Sequence, residues 1–208
     1  MLKNNKNMFA KPSNVLIIIG VLKGYIKNPV MFFLSSVISF KKYKRRLNSN
    51  LPKDFLNSSG LIAWLYIRLK EKVRKEEAYE IIRTAVLCSG LAVQQSNFRN
   101  VEDKRTFENL IKNQKNAKEN GSTKLNKMKI IEESDNRYIF KVTKCMFYDF
   151  FSSQGVPELT KIMCSIDNAI FSSYLPERII FHRNGVGNRI SDGSKECLFF
   201  VEKVVENK

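Results

Sequence analysis

The chain has one histidine, five prolines, nine glycines and four cysteines in 208 residues, and each scarcity removes a class of protein. The cysteines, Cys88, Cys145, Cys164 and Cys197, include no C-x-x-C pair and are too few for a short disulfide scaffold. With His182 as the single imidazole, few ligands remain for a zinc site. Nine glycines exclude a collagenous repeat, and a hydrophobic content of 43% excludes a wholly disordered chain. Long apolar runs are missing too. Val15 to Leu22 and Val30 to Phe40 are separated by Lys23, Lys27 and Pro29, and neither reaches the roughly 18 to 20 residues of a spanning helix. The N-terminus lacks the basic, apolar and small-residue series of a secretory signal, so free thiols in a reducing cytoplasm are expected.

Acidic residues are also in short supply, 20 against 36 Lys and Arg, for a formal charge of +16. The surplus is uneven: +10 over residues 1 to 60, +6 over residues 61 to 127 and zero over residues 128 to 208. A basic excess suggests a polyanion partner. However, 25 Lys against 11 Arg, together with 20 Asn, is also what an AT-biased genome writes into any surface. Arg forks interleaved with aromatics are absent, so no nucleic-acid partner is expected.

The two N-terminal apolar stretches read as helices, the second followed by Lys41, Lys42, Lys44, Arg45 and Arg46. Either Phe32, Phe33, Val37 and Phe40 pack into the protein with the lysines solvated, or residues 1–60 rest on an anionic bilayer surface. Ser58 and Ser59 suit the cap of a helical region from about Gly60 to Val93, with Leu61, Leu65, Leu69 and Val73 at i+4 spacing. Periodicity leaves open whether this is one helix or two. Residues 95 to 127 are polar, ending in Asn120-Gly121-Ser122, and suggest a helix with little to bury followed by a loop, or a linker.

From residue 128 the pattern changes. Met128 to Glu133 and Arg137 to Thr143 form β-rich runs around Ser134-Asp135-Asn136, a hairpin. Met146 to Gln154 predicts an aromatic helix closed by Gly155, and Pro157 opens another to about Ser173. Arg178 to Arg183 and Glu196 to Val201 complete the order β-β-α-α-β-β, an α+β fold with helices on one face of an antiparallel sheet. The expected organisation is a basic helical extension over 1–57, a helical region and polar linker over 58–127, and an α+β region over 128–208 that joins 58–127 in one domain.

On the helix after Pro157, Leu159, Ile162, Met163, Ile166 and Ile170 share one face. Thr160, Cys164, Asp167 and Phe171 fall on the adjoining stripe, and Cys164 and Asp167 are neighbours at i, i+3. A thiol beside a carboxylate there is either a pocket wall or an ordinary buried Cys with a surface Asp. Gly185 and Gly187 make a G-x-G with no helix after it, so phosphate cradling is not supported.

The ordered series Cys145, Tyr148, Gly155, Pro157-Glu158-Leu159, Cys164, Asp167, Phe181, Arg183, Gly193, Cys197 and Phe199 resembles the L-2-amino-thiazoline-4-carboxylic acid hydrolase family. Two positions depart from the family pattern: Arg189 stands where a threonine is common, and Leu198 where an acidic residue is often found. The resemblance implies a hydrolase acting on a C–N or C–S bond of a small heterocycle or amide. Cys164, Asp167 and Cys197 are then the candidate catalytic residues, and Cys145, Tyr148 and Arg183 the candidates for binding the substrate. Arg183 suits a substrate carboxylate because its fork is bidentate. A thiolate at Cys164 would be opposed by the charge of Asp167, so Asp167 as base or amidine-binding group is the less strained role. His182 points to the other face of its strand if Arg183 points inward. No cofactor and no metal is expected, since a zinc site from the three cysteines and a carboxylate has no short ligand pair behind it. The alternative is a non-catalytic binding or sensing module of the same fold, with cysteines and aromatics shaping an apolar pocket.

Overall fold

The computed structural model describes residues 14–47, 50–99, 105–120, 123–183 and 188–204, with the side chains of 91–99 left aside. Helices α1 (Asn14–Leu22), α2 (Pro29–Lys44), α3 (Lys53–Leu69), α4 (Lys75–Arg99) and α5 (Phe107–Glu119) precede the hairpin β1 (Lys127–Glu133) and β2 (Arg137–Lys144). Then come α6 (Met146–Ser153), a 3-10 turn (Pro157–Leu159), α7 (Thr160–Tyr174), β3 (Ile179–Arg183), a second 3-10 turn (Ile190–Asp192) and β4 (Cys197–Lys203). The strands form an antiparallel sheet in the order β1-β2-β4-β3. The fold is the α+β arrangement read from the sequence.

One local expectation needs correcting, and two that the sequence leaves open are decided. Ser58 and Ser59 cap nothing. Helix α3 already begins at Lys53, with Asp54 in its first turn, so both serines lie mid-helix; Ser58 donates to the Asp54 carbonyl and Ser59 is buried. The long apolar-periodic region is two helices, parted at Lys70 to Arg74. A new start is favoured there because Glu77 reaches back to accept from the Arg74 backbone N–H at 3.2 Å, half of a capping box. The polar stretch after residue 95 does contain a helix, but α5 has more to bury than its composition suggests. Thr106 caps it, accepting from the Asn109 N–H, and Phe107, Leu110 and Ile111 are buried against the sheet. Its spacing, one aromatic and two aliphatics on a single turn-and-a-half, was hidden among nine polar residues. Gly121, Ser122, Gly185 and Gly187 lie outside the described residues.

Two apolar clusters share α7 as their seam. The first is helical: Phe32, Phe33, Leu56, Tyr66, Leu69 and Ile81 of α2 to α4 meet Phe150, Phe151, Leu159 and Ile162. The second lies between the sheet and its helices, where Tyr138, Phe140, Val142, Cys197, Phe199 and Val201 meet Phe107, Leu110, Phe171 and Tyr174. Period-two alternation in β2 and β4 puts these sheet residues on one face. On the other face His182 stacks on Phe200 at 4.5 Å, which leaves Arg183 pointing toward α7.

Glu158 of the Gly155–Leu159 turn pins the halves together. It accepts from the buried Tyr66 hydroxyl at 2.9 Å and pairs with Lys75 at 3.3 Å, which joins α3 and the start of α4 to the entry of α7. Gly155 itself has φ +70, the left-handed conformation that ends α6, where a side chain would be strained.

Candidate active site

Helix α7 presents the stripe Thr160, Cys164, Asp167 and Phe171 to β3 and β4. Phe171 stacks on Phe181 at 4.5 Å, which fixes the lower end of the stripe on the sheet. Cross-strand register aligns Arg183 with Phe199, and Phe199 with Phe140. The guanidinium of Arg183 lies 4.1 Å over the Phe199 ring, which stacks on Phe140 from its other side in the sheet at 4.5 Å. From there Arg183 donates to the Asp167 carboxylate at 2.7 Å.

The two partners of that pair differ sharply in exposure. The Arg183 side chain is 6% exposed and that of Asp167 is 48% exposed. The carboxylate is therefore reached by solvent while its cation is sunk. Protein around Asp167 pushes its pKa above the usual carboxylate range, while the Arg183 charge and hydrogen bond pull the other way. Contact with water tempers the rise. Within the described residues, the Nε of Arg183 is buried with no hydrogen-bond partner, and so is the Oγ1 of Thr160 at the top of the stripe. An orphaned buried polar atom is uncommon and is a place where a ligand group or water can bind.

The three cysteines that share the motif series are electrostatically coupled neighbours. Cys145 stands at the N-terminal cap of α6, Cys164 is on the stripe, and Cys197 opens β4. Burial pushes Cys145 up to about 11, against the backbone N–H groups of Tyr148 and Phe147, which sit near its sulfur without forming a cap hydrogen bond. Burial also raises Cys197, whose sulfur accepts the Ile190 N–H at 3.2 Å. Both are neutral thiols at pH 7. Cys164 and the Ser191 hydroxyl lie 3.7 Å apart. Tyr148 adds its ring to the apolar cluster beneath.

The loop before β4 lies against the start of α7. Arg189 donates to Asp192 at 2.6 and 3.3 Å, and Lys161 of α7 lies 3.4 Å from the same carboxylate. The cation that stands at the family's threonine position is thus tied back within its own loop, and its hydrogen bond to Asp192 raises its pKa. Gly193, with φ +97, makes the return possible. Tyr79 of α4 senses both Cys164 and Arg189 and bounds the region from the helical side.

Sequence reasoning put Thr160 on the stripe without assigning it a role, and passed over Ser191, Asp192, Lys161 and Tyr79. Only Lys161 had a visible signal, its helical adjacency to Cys164 at i+3; the others arrive from distant segments. Among the described residues no group of three or more His, Cys, Asp and Glu side chains could hold a metal ion. Three cavities lie elsewhere. One of about 630 Å³ is lined by Met163, Ile166 and Ile170 from the adjoining face of α7, one of about 700 Å³ lies between α5 and the β1–β2 turn, and one of about 460 Å³ lies between the start of α3 and α6.

The shielding of the thiols gives a direct test. With a thiol-reactive disulfide under native conditions, one fast equivalent per chain is expected, from exposed Cys88, and Cys88→Ser removes it; half-buried, protonated Cys145 reacts slowly, and Cys164 and Cys197 react only after unfolding. Labelling of Cys197 as fast as that of Cys88 would overturn its assignment as a neutral, buried thiol.

The structure is an α+β protein with a sunk guanidinium, a half-exposed carboxylate and three thiols along the seam between one helix and one sheet. Comparison with protein families gives the class its name: the model of the L-2-amino-thiazoline-4-carboxylic acid hydrolase family matches residues 54–201, and the chain belongs to that family. No match was found among curated proteins, and none among solved structures.

Proposed function

We propose that the protein is a hydrolase that opens a C–N or C–S bond of a small carboxylate-bearing heterocycle or amide, with an aminothiazoline carboxylate as the substrate to try first. The observation that carries the reading is the Arg183–Asp167 pair, in which a buried fork keeps an unpartnered Nε beside a carboxylate open to solvent. Arg183 holds the substrate carboxylate, and Asp167 takes the proton from the attacking water. Water adds to the ring carbon between nitrogen and sulfur, the carbon–sulfur bond breaks, and the departing sulfur takes up a proton as a free thiol. Neutral Cys145 and Cys197 line the site rather than attack, and Cys164 with Ser191 can pass that proton to the leaving sulfur.

The assay is release of free thiol from the aminothiazoline carboxylate. Asp167→Asn is expected to lower the rate by roughly a hundredfold to ten-thousandfold, the usual contribution of a general base. The sign of the pH dependence follows from the direction of the shift. A base works deprotonated, so activity falls as pH drops through the raised Asp167 pKa, and the acid limb lies above the ordinary carboxylate value. A limb that persists unchanged in Asp167→Asn would sink this role.

A second reading is favoured by the same raised thiols: the site binds its ligand and does not turn it over. A stoichiometric small molecule that co-purifies and survives incubation unchanged separates it from the hydrolase.

A further inference from the structure

Helix α2 is apolar on two opposite sides, with Ser35 and Ser39 on one flank between them, and only one apolar side is covered. Phe32, Phe33, Ser36 and Phe40 are buried in the helical cluster or against α3. At the helical period, Met31, Leu34 and Ile38 lie on the opposite side and are exposed by 66, 49 and 71%. Val30 and Val37 widen the stripe, and on α1 Val15 and Leu16 are also exposed, by 43 and 67%. Val37 therefore does not pack inward with the phenylalanines, as one sequence reading has it. A contiguous exposed apolar face marks an interaction surface.

The same side of α2 runs on into charge. Lys41 and Lys42 continue the Met31, Leu34 and Ile38 face in the last turn, followed by exposed Arg45 and Arg46. No acidic residue occurs before Asp54 in the chain. The surface thus needs an occupant that is apolar within and anionic at its boundary. Two copies placed face to face would bring two strongly basic segments together. A nucleic acid would satisfy the cations and leave Met31, Leu34 and Ile38 in water. A bilayer with anionic headgroups meets both needs. It would be rested upon and not crossed, since no described helix is long and apolar enough to span.

We propose that the exposed face of α1 and α2 docks the protein on an anionic membrane surface. Met31, Leu34 and Ile38 enter the boundary between headgroups and acyl chains, and Lys41, Lys42 and Arg45 lie among the phosphates. This goes beyond the hydrolase reading and does not depend on it.

The test is sedimentation of the full chain with vesicles of phosphatidylcholine alone or with a third of the lipid replaced by phosphatidylglycerol. Pelleting is expected with the anionic vesicles, weakening as salt rises. The triple variant Met31→Glu, Leu34→Glu, Ile38→Glu is expected to bind at least about tenfold more weakly, as is Lys41→Glu, Lys42→Glu. Folding of the variants is read from the near-ultraviolet signal of Trp64, which donates to the Ser36 carbonyl of α2 and stacks on Tyr43. A wild-type chain left in the supernatant with both vesicles overturns the proposal. So does a folded triple variant that pellets like the wild type, because charge alone would then explain binding. A wild-type dimer that the triple variant dissolves, with no vesicle binding, would assign the face to a second copy instead.

Discussion

Arg183→Ala is expected to raise the KM for a carboxylate-bearing substrate by about ten- to a hundredfold, the equivalent of the roughly 1.5–3 kcal/mol that hydrogen bonds to a charged group contribute. Arg183→Lys should restore little, because an ammonium on a flexible stem cannot reproduce a planar fork lying on the Phe199 ring while it reaches Asp167. The difference in exposure across the pair supplies a control. Removing Arg183 leaves Asp167 with solvent on one side, so denaturant unfolding should change little. Removing Asp167 with alanine strands a guanidinium that is only 6% exposed, so that variant should unfold at the lower denaturant concentration. Equal midpoints for the two variants, or an unchanged KM in Arg183→Ala, would contradict the assignment of Arg183 as the carboxylate holder.

Phe199→Ala should be the most damaging single change in the sheet. The ring is buried, stacks on Phe140 at 4.5 Å, meets Phe171 edge-on and carries the Arg183 guanidinium. Phenylalanine-to-alanine changes in a core cost about 3–5 kcal/mol, a large share of the roughly 5–15 kcal/mol that holds a domain folded. A fall in Tm on the order of 10 °C is expected for a chain of this size. Phe199→Leu keeps most of the volume and should lose less stability, yet it removes the aromatic face under the cation. A leucine variant with near-normal Tm and an elevated KM would separate the two roles of the ring. A Tm unchanged in the alanine variant would show that Phe199 is not central to this core.

The fold was legible where the local signal was unmixed. β-rich composition in Arg137 to Thr143 located one central strand and the run Glu196 to Val201 the other, and strand alternation sent Arg183 and His182 to opposite faces. Gly155 and Pro157 marked the break between α6 and α7 because each has a backbone consequence that no neighbour can override. The errors arose where several weak signals competed. Two serines beside a glycine imitated a cap inside α3, while the actual start, after Pro52, carried no capping side chain. In the site, the i, i+3 spacing gave the Cys164–Asp167 stripe, but the orphaned Nε of Arg183 and the clamp of Arg189 on Asp192 depend on loop geometry that composition does not encode.

The family match begins at residue 54, inside the first turn of α3. The packing does not respect that boundary. Gly60 of α3 sits so tightly under α2 that an added Cβ would meet Leu47 at 3.0 Å and Phe40 at 3.3 Å, and Tyr43 reaches over to Gln154 at the end of α6. A chain trimmed to its homologous region would therefore begin with an uncovered α3, its glycine groove and the aromatic side of α6 open to water. What descent treats as an addition, folding treats as the lid of the core, so inheritance and cooperativity draw different borders through this molecule.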